Sequence, residues 1–358
     1  MAYTTINKSS DYFNTHLYSG NDTTNNQQVG LTPDLVWVKC RNNGIPSHYW
    51  VDKVRGDKKY ISSNATTAEQ TDSNTFDLVS GGFNLAGGNG WTNVTGRNYA
   101  SWNWKANGQG SSNTDGSINT TYTSANTTSG MSIIKYSGNG SAGATIGHGL
   151  GVAPKCVIIK RTDTTSNWIF GTGATGFTKF LYLNTSGAET TNSGAFNNTA
   201  PSSSVITLGS WNDVNNSSGT YIAYAFAEKQ GFSAMGSYTG NATSDNAFIY
   251  TGFKPAWIMT KKTTGSGYHW FIFDNKRDGY NNSNKRFEAS SNNAEADTSP
   301  AGNIDILSNG FKIRTIDGHI ADAGEYLYIA FAEAPLVGNN NVPCTARWLI
   351  KWRKIKYE

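Results

Sequence analysis

The sequence predicts an all-β protein made of tandem antiparallel β-sandwich-like domains, three internal repeats in one chain. Two observations predict it. The same landmarks recur three times in one order. Within each copy, short runs alternate large with small or polar side chains at the two-residue period of a strand.

The landmarks can be followed residue by residue. Each copy opens near Tyr-Ser/Thr-Gly-Asn, at Tyr18, Tyr136 and Tyr238. Pro33, Pro154 and Pro255 then start apolar runs that end in a lysine six positions on: Lys39, Lys160 and Lys261. A tryptophan follows, at Trp50, Trp168 and Trp270, and then Ala68-Glu69, Ala188-Glu189 and Ala294-Glu295. The copies close with Tyr99–Trp104, Tyr221–Phe226 and Tyr326–Phe331. The resulting plan is an N-terminal arm and first β-repeat over 1–105, a Gly/Ser/Asn/Thr-rich linker over 106–130, a second repeat over 131–231, a third over 232–337, and a basic aromatic tail over 338–358.

In the closing runs Ala100, Trp102 and Trp104 share one face, as do Ile222, Tyr224 and Phe226, and Leu327, Ile329 and Phe331. These faces are expected to be core, since burying one such large side chain is worth ~1.5–3 kcal/mol. The other face carries Ser101, Asn103, Ala223, Ala225 and Ala330. Val157-Ile-Ile and Trp257-Ile-Met are continuously apolar and read as strands covered on both sides. Proline just before them is tolerated, because a strand's first residue need not donate to the ladder. Gly82-Phe83 and Gly310-Phe311 mark turn-to-strand transitions, replaced in the second copy by Val205-Ile-Thr-Leu.

Charged residues make up 15% of the chain and the net charge is only +4, which argues against a dedicated nucleic-acid binder. Aromatics at 13% argue against disorder. No apolar run approaches a membrane span, and the N-terminus lacks the apolar core of a signal peptide. Cys40, Cys156 and Cys344 occupy unrelated repeat positions and read as free thiols, neither a disulfide framework nor a metal set.

Recurrence separates scaffold from chemistry. Glu69, Glu189 and Glu295 occur in every copy, and a catalytic carboxylate needs only one copy, so they read as structural. Asp274-Asn-Lys-Arg-Asp278-Gly lacks the ligand spacing of a calcium loop and reads as a turn held by its Asp and Asn side chains. The five histidines form no metal pair, and Gly138–Gly143 lacks the Lys-Ser/Thr of a phosphate loop. No catalytic residue, metal or cofactor is expected. Aromatic rings beside Asn, Asp and Gln suit sugar binding, because the ring stacks on a pyranose while the amides and carboxylates take its hydroxyls. Tyr49, Trp50, Trp91, Trp168, Trp211, Tyr268 and Tyr280 sit in such settings, and His148 lies in the loop before a strand. In the tail, Arg347, Trp348, Lys351, Trp352, Arg353 and Lys354 form a candidate docking element for a partner.

Longer strings carry a family likeness. They include Trp37-Val-Lys-Cys-Arg, Asn103-Trp-Lys-Ala-Asn-Gly, Gly147-His-Gly-Leu-Gly-Val-Ala-Pro-Lys155, Tyr224-Ala-Phe-Ala-Glu-Lys-Gln-Gly-Phe232 and Ala330-Phe-Ala-Glu-Ala-Pro-Leu-Val337. Over nearly its whole length the chain resembles the repeated-domain tail fibre and tail appendage proteins of marine bacteriophages, including phages of cyanobacteria. The tail after Arg347 departs from the usual ending near Thr345-Ala-Arg. The resemblance implies a non-enzymatic virion component, made in the host cytoplasm, that attaches the particle to its host. Its implied partners are further copies of itself (a trimer among the forms this allows), other tail or head proteins, and a host polysaccharide or outer-membrane receptor. A head decoration or connector protein anchored by its tail is the alternative. A polysaccharide depolymerase is the third reading, and it requires an isolated acidic pair that the sequence does not display.

Overall fold

The computed structural model describes residues 3–72, 76–88, 90–298, 303–338 and 342–345. It is all-β, with antiparallel ladders throughout its named strands and two four-residue helices at Ser193–Phe196 and Asn212–Asn215. Three large sheets share one strand order. In the first the order is Phe13–Ser19, Asn98–Trp104, Leu35–Cys40, Tyr49–Asp52. The second runs Met131–Ser137, Thr220–Phe226, Cys156–Arg161, Trp168–Thr172, Lys179–Tyr182, Thr190–Thr191. The third runs Ser233–Gly240, Gly324–Pro335, Phe253–Lys262, Phe271–Asp274, Lys285–Glu288, Ala296–Asp297. The stretch 106–130, read as a linker, holds the strand Tyr122–Asn126, which pairs with Met131–Ser137 and extends the second sheet.

A small sheet covers the back of each large one. The first is Asn25–Gln28, Gly82–Leu85 and Phe76–Val79; the second is Thr145–Gly147 with Val205–Thr207; the third is Phe248–Tyr250, Gly310–Ile313 and Ile304–Leu307. This explains why both faces of the closing strands are buried. Ser101, Asn103, Ala223, Ala225 and Ala330 are fully covered, although the sequence marked only the opposite face as core. Small residues there let the second sheet approach. Ala223 and Ala225 pack with Ile146 and Ile206 of that sheet.

The large-residue faces of all three sheets turn toward one another and share a single aromatic core. Trp50 meets Trp168 at 5.1 Å and Tyr224 at 5.2 Å between ring centroids. Trp37 meets Trp257 at 6.2 Å, Phe170 meets Trp270 at 4.6 Å, and Phe226 and Trp104 both meet Phe331 at 5.7 Å. The sheets therefore form a closed ring, each contacting the other two.

The opening motif builds the rim of every sandwich. Tyr18, Tyr136 and Tyr238 pair in register with Tyr99, Tyr221 and Tyr326. The rings stack at 5.0, 5.1 and 4.9 Å. Each opening hydroxyl donates to a buried carbonyl, of Thr92, Val214 and Ile320. The glycine two residues on is required by close approach: a Cβ on Gly20, Gly138 or Gly240 would fall inside contact of the carbonyl oxygen of Val94, Asn216 or Asp322.

Candidate functional site

The positions that recur in all three copies hold the ring together. The amide of Glu69 donates to the Thr162 carbonyl at 2.9 Å, Glu189 to Thr263 at 2.8 Å, and Glu295 to Arg41 at 2.8 Å. The lysines beside these carbonyls are buried. Lys39 Nζ donates to Asn292 O at 2.9 Å and Lys160 Nζ to Thr66 O at 3.1 Å, both across a boundary, while Lys261 Nζ donates to Lys262 O at 2.7 Å. Burial pulls all three ammonium groups down to about 8.

Cross-strand register corrects one alignment. Leu35 pairs with Asp52, Cys156 with Thr172, and Trp257 with Asp274, so Trp168 and Trp270 correspond to His48 rather than to Trp50. The hydrogen bonds agree. Trp168 Nε1 donates to Ser62 O at 2.9 Å and Trp270 Nε1 to Tyr182 O at 3.0 Å. At the third boundary His48 Nε2 lies 2.9 Å from Glu288 O. Trp37 Nε1 donates to His48 Nδ1, which places the ring proton on Nε2 and makes it the donor to Glu288. Burial lowers the pKa of His48 well below the usual histidine range, so the ring stays neutral.

Most aromatics expected at a ligand are scaffold. Trp50 and Trp168 are brought together, but inside the shared core. Tyr49 is buried and donates to Asp72 at 2.9 Å. His148 is buried, its Nδ1 accepting from the Leu150 amide at 3.2 Å. None of these four presents surface to a ligand, because closing the ring and covering each sheet removes them from solvent. Trp211 is half-buried against Phe180 and Tyr268 is half-buried beneath Lys262 Nζ. Trp91 and Tyr280 are exposed at 37% and 40%, in the first and third copies. Arg347, Trp348, Lys351, Trp352, Arg353 and Lys354 lie outside the described residues. Among the described residues no cluster of His, Cys, Asp or Glu could hold a metal ion. Asp274 Oδ1 instead accepts the amides of Lys276 and Arg277, the side-chain-held turn expected there.

The outward face of the third small sheet is different. Phe248 and Tyr250 stand on one side of the strand Phe248–Tyr250 at 46% and 56% exposure, with Ile249 between them turned into the core. Ladder register gives their counterparts. Phe248 pairs with Lys312 as Asn26 pairs with Asn84 and Thr145 with Thr207; Tyr250 pairs with Gly310 as Gln28 pairs with Gly82 and Gly147 with Val205. Two copies are polar or small at these positions and one is aromatic. Charged groups adjoin the rings: Lys312 and Arg314 both face Asp245, and Arg314 Nε donates to Asp305 at 2.6 Å. Tyr3 lies beside Tyr250, and burial, then that neighbour, hold its hydroxyl well above the usual tyrosine range. Two rings on alternate residues of a rigid strand, flanked by paired charges, can stack on ring faces and hydrogen-bond to hydroxyls. Sequence reading missed this pair. The signal was available: at the matching distances before Pro33, Pro154 and Pro255 stand Asn26 and Gln28, Gly147 and Gly149, and Phe248 and Tyr250, so the third copy alone is aromatic there.

The fold and this face define a ring of β-sandwiches that keeps its recurrent aromatics inside and presents a few single-copy ones outside. The chain belongs to the family of the domain of unknown function DUF7483, which matches residues 8–335 and so takes in all three large sheets. No curated protein and no solved structure matches it.

Proposed function

We propose that this protein is a non-enzymatic structural component of a phage virion, a tail fibre or appendage that attaches the particle to a glycan on the host surface. The reading rests on the resemblance carried by the strings around Trp37, Gly147 and Tyr224. The single structural observation in its favour is the outward pair Phe248 and Tyr250, aromatic where the other copies are polar or small. Exposed aromatics cost solubility, so a pair restricted to one copy is a specialised feature rather than a scaffold requirement. A contact of this size gives millimolar affinity at best, about −4 kcal/mol, so attachment draws its strength from several copies on one particle.

The test is binding of the purified protein to intact candidate host cells, with extracted surface polysaccharide as competitor. Saturable, competed binding is expected, reduced at least about tenfold by the double variant Phe248→Ala/Tyr250→Ala. Asn26→Ala/Gln28→Ala, at the matching positions of the first copy, is expected to bind as the parent does. Retained binding by a normally folded double variant would move recognition to another face. Absence of saturable binding by the parent would sink the attachment reading and favour a head decoration or connector role.

A further inference from the structure

The three boundaries of the ring are not alike, and the difference has a shape. At the boundary between the first and second sheets, Asp52 pairs with Arg55 and accepts from the Tyr224 hydroxyl at 2.7 Å. Arg55 Nη2 donates to Trp50 O at 2.9 Å and its Nη1 lies 3.5 Å from Glu69, which also holds Lys59 at 3.0 Å. At the boundary between the third and first, Asp274 pairs with Arg277 at 2.6 Å and accepts from Trp102 Nε1 at 3.1 Å. Arg277 Nη2 donates to Ile272 O at 2.9 Å, its Nη1 lies 3.4 Å from Glu295, and Glu295 also holds Arg41 at 3.0 Å. Both arginine side chains are buried. At these two boundaries one glutamate serves two cations.

At the remaining boundary the aspartate, the arginine and the donor have all gone. The register places Thr172 where Asp52 and Asp274 stand, and Thr175 three residues on, where Arg55 and Arg277 stand. Ile329 takes the place of Tyr224 and Trp102. The glutamate has been kept. Among the described residues, the one cation paired with Glu189 is Lys179, the counterpart of Lys59. A cleft of about 180 Å³ opens beside it, lined by Thr175, Lys179, Glu189, Thr263, Glu325 and Tyr326 among others. That is room for about six water molecules. The two glutamates against one lysine leave this lining with a charge of −1. The Thr175 hydroxyl is buried there without a hydrogen-bond partner.

We infer that this cleft binds a small organic cation bearing a guanidinium or primary ammonium group, which gives Glu189 the second cation that Arg55 and Arg277 supply to the glutamates of the other two boundaries. Glu189 is its counter-ion, and Glu325 of the third sheet adds a second carboxylate to the lining. The planar fork of a guanidinium matches a carboxylate in two bonds, which favours it over a simple ammonium. This inference is independent of the glycan reading, since the cleft and the Phe248–Tyr250 face share no residue.

Calorimetric titration of the full chain with agmatine tests it, with urea as the uncharged isostere and sodium chloride at equal ionic strength. Saturable binding of agmatine with a dissociation constant on the order of 1 mM is expected, with none for urea. Glu189→Gln is expected to weaken it at least about tenfold. Thr175→Arg, which supplies the guanidinium from the chain itself, is expected to abolish it and to raise the thermal midpoint. Glu189→Gln keeps the test decisive if that arginine does not fit. Absence of saturable agmatine binding, or equal binding by Glu189→Gln, overturns the inference.

Discussion

The amide of Glu189 donates to the carbonyl of Thr263, and this 2.8 Å bond joins two sheets whose cores are continuous. Its counterparts at Glu69 and Glu295 lock the other boundaries, so the inward faces of all three sheets are covered only when the ring is closed. Unfolding in urea is therefore expected to follow one transition, coincident by tryptophan fluorescence and far-ultraviolet circular dichroism. Residues 131–231 alone would expose Trp168, Phe170, Tyr224 and Phe226, each worth ~1.5–3 kcal/mol when buried. That fragment is expected to show no cooperative transition. Three separable transitions, or a natively packed fragment, would contradict the closed ring as the unit of stability.

Asp274 and Arg277 are a buried ion pair, and removing one member leaves the other charge uncompensated. Arg277→Met is expected to cost about 3–5 kcal/mol, read as a lower urea midpoint. Burial works to raise the Asp274 pKa, but the charge and hydrogen bonds of Arg277 overcome it and hold the carboxyl below its usual range. With the folded value depressed, this contribution is present above the unfolded carboxylate range near pH 4 and is lost as pH falls through the folded value. In Arg277→Met the acid transition is expected to move to higher pH. An unchanged acid midpoint would show that the pair does not govern it.

The three buried lysines make stability rise with alkali before it falls. Each has a folded value of about 8, below the unfolded value, so the unfolded chain binds more protons between the two. The thermal midpoint is expected to rise by a few degrees from pH 7 to about pH 9.5. Above about pH 10 the sign reverses. Burial holds Tyr18, Tyr136 and Tyr238 well above the ordinary tyrosine range, and the stability they contribute is lost once the unfolded chain can ionise them. A midpoint flat or falling across pH 7–9.5 would mean that the ammonium groups escape their burial.

The strands were legible because alternation survives in a single copy: Ile222, Tyr224 and Phe226 needed only the two-residue period. What those side chains face was not legible, because their partners belong to other copies more than a hundred residues away. Trp50 and Trp168 looked like ligand platforms for this reason, with Ser47 and Asp52 near the one in sequence and Ser166 and Asn167 beside the other, although in space each ring is packed against the other. The alignment of Trp50 with Trp168 failed through the same periodicity. A slip of two residues preserves the facing of a strand, and only the cross-strand register exposes it. Phe248 and Tyr250 were passed over because recurrence drew attention to what the copies share, and this face lies in what they do not.

The ring closed by Arg41 and Glu295 has the connectivity of three identical subunits joined into one polypeptide. In an assembly of separate identical subunits, every substitution appears three times at once. Trading the arginine for threonine would then empty all three interfaces together, and an aromatic outer strand would appear on every side. Joining the copies lifts that constraint. Thr175 stands at one interface where Arg55 and Arg277 fill the other two with buried ion pairs, and Phe248 and Tyr250 expose two rings on one side where the other copies are polar or small. Covalent fusion is what allows this ring to specialise one position at a time without losing its closure.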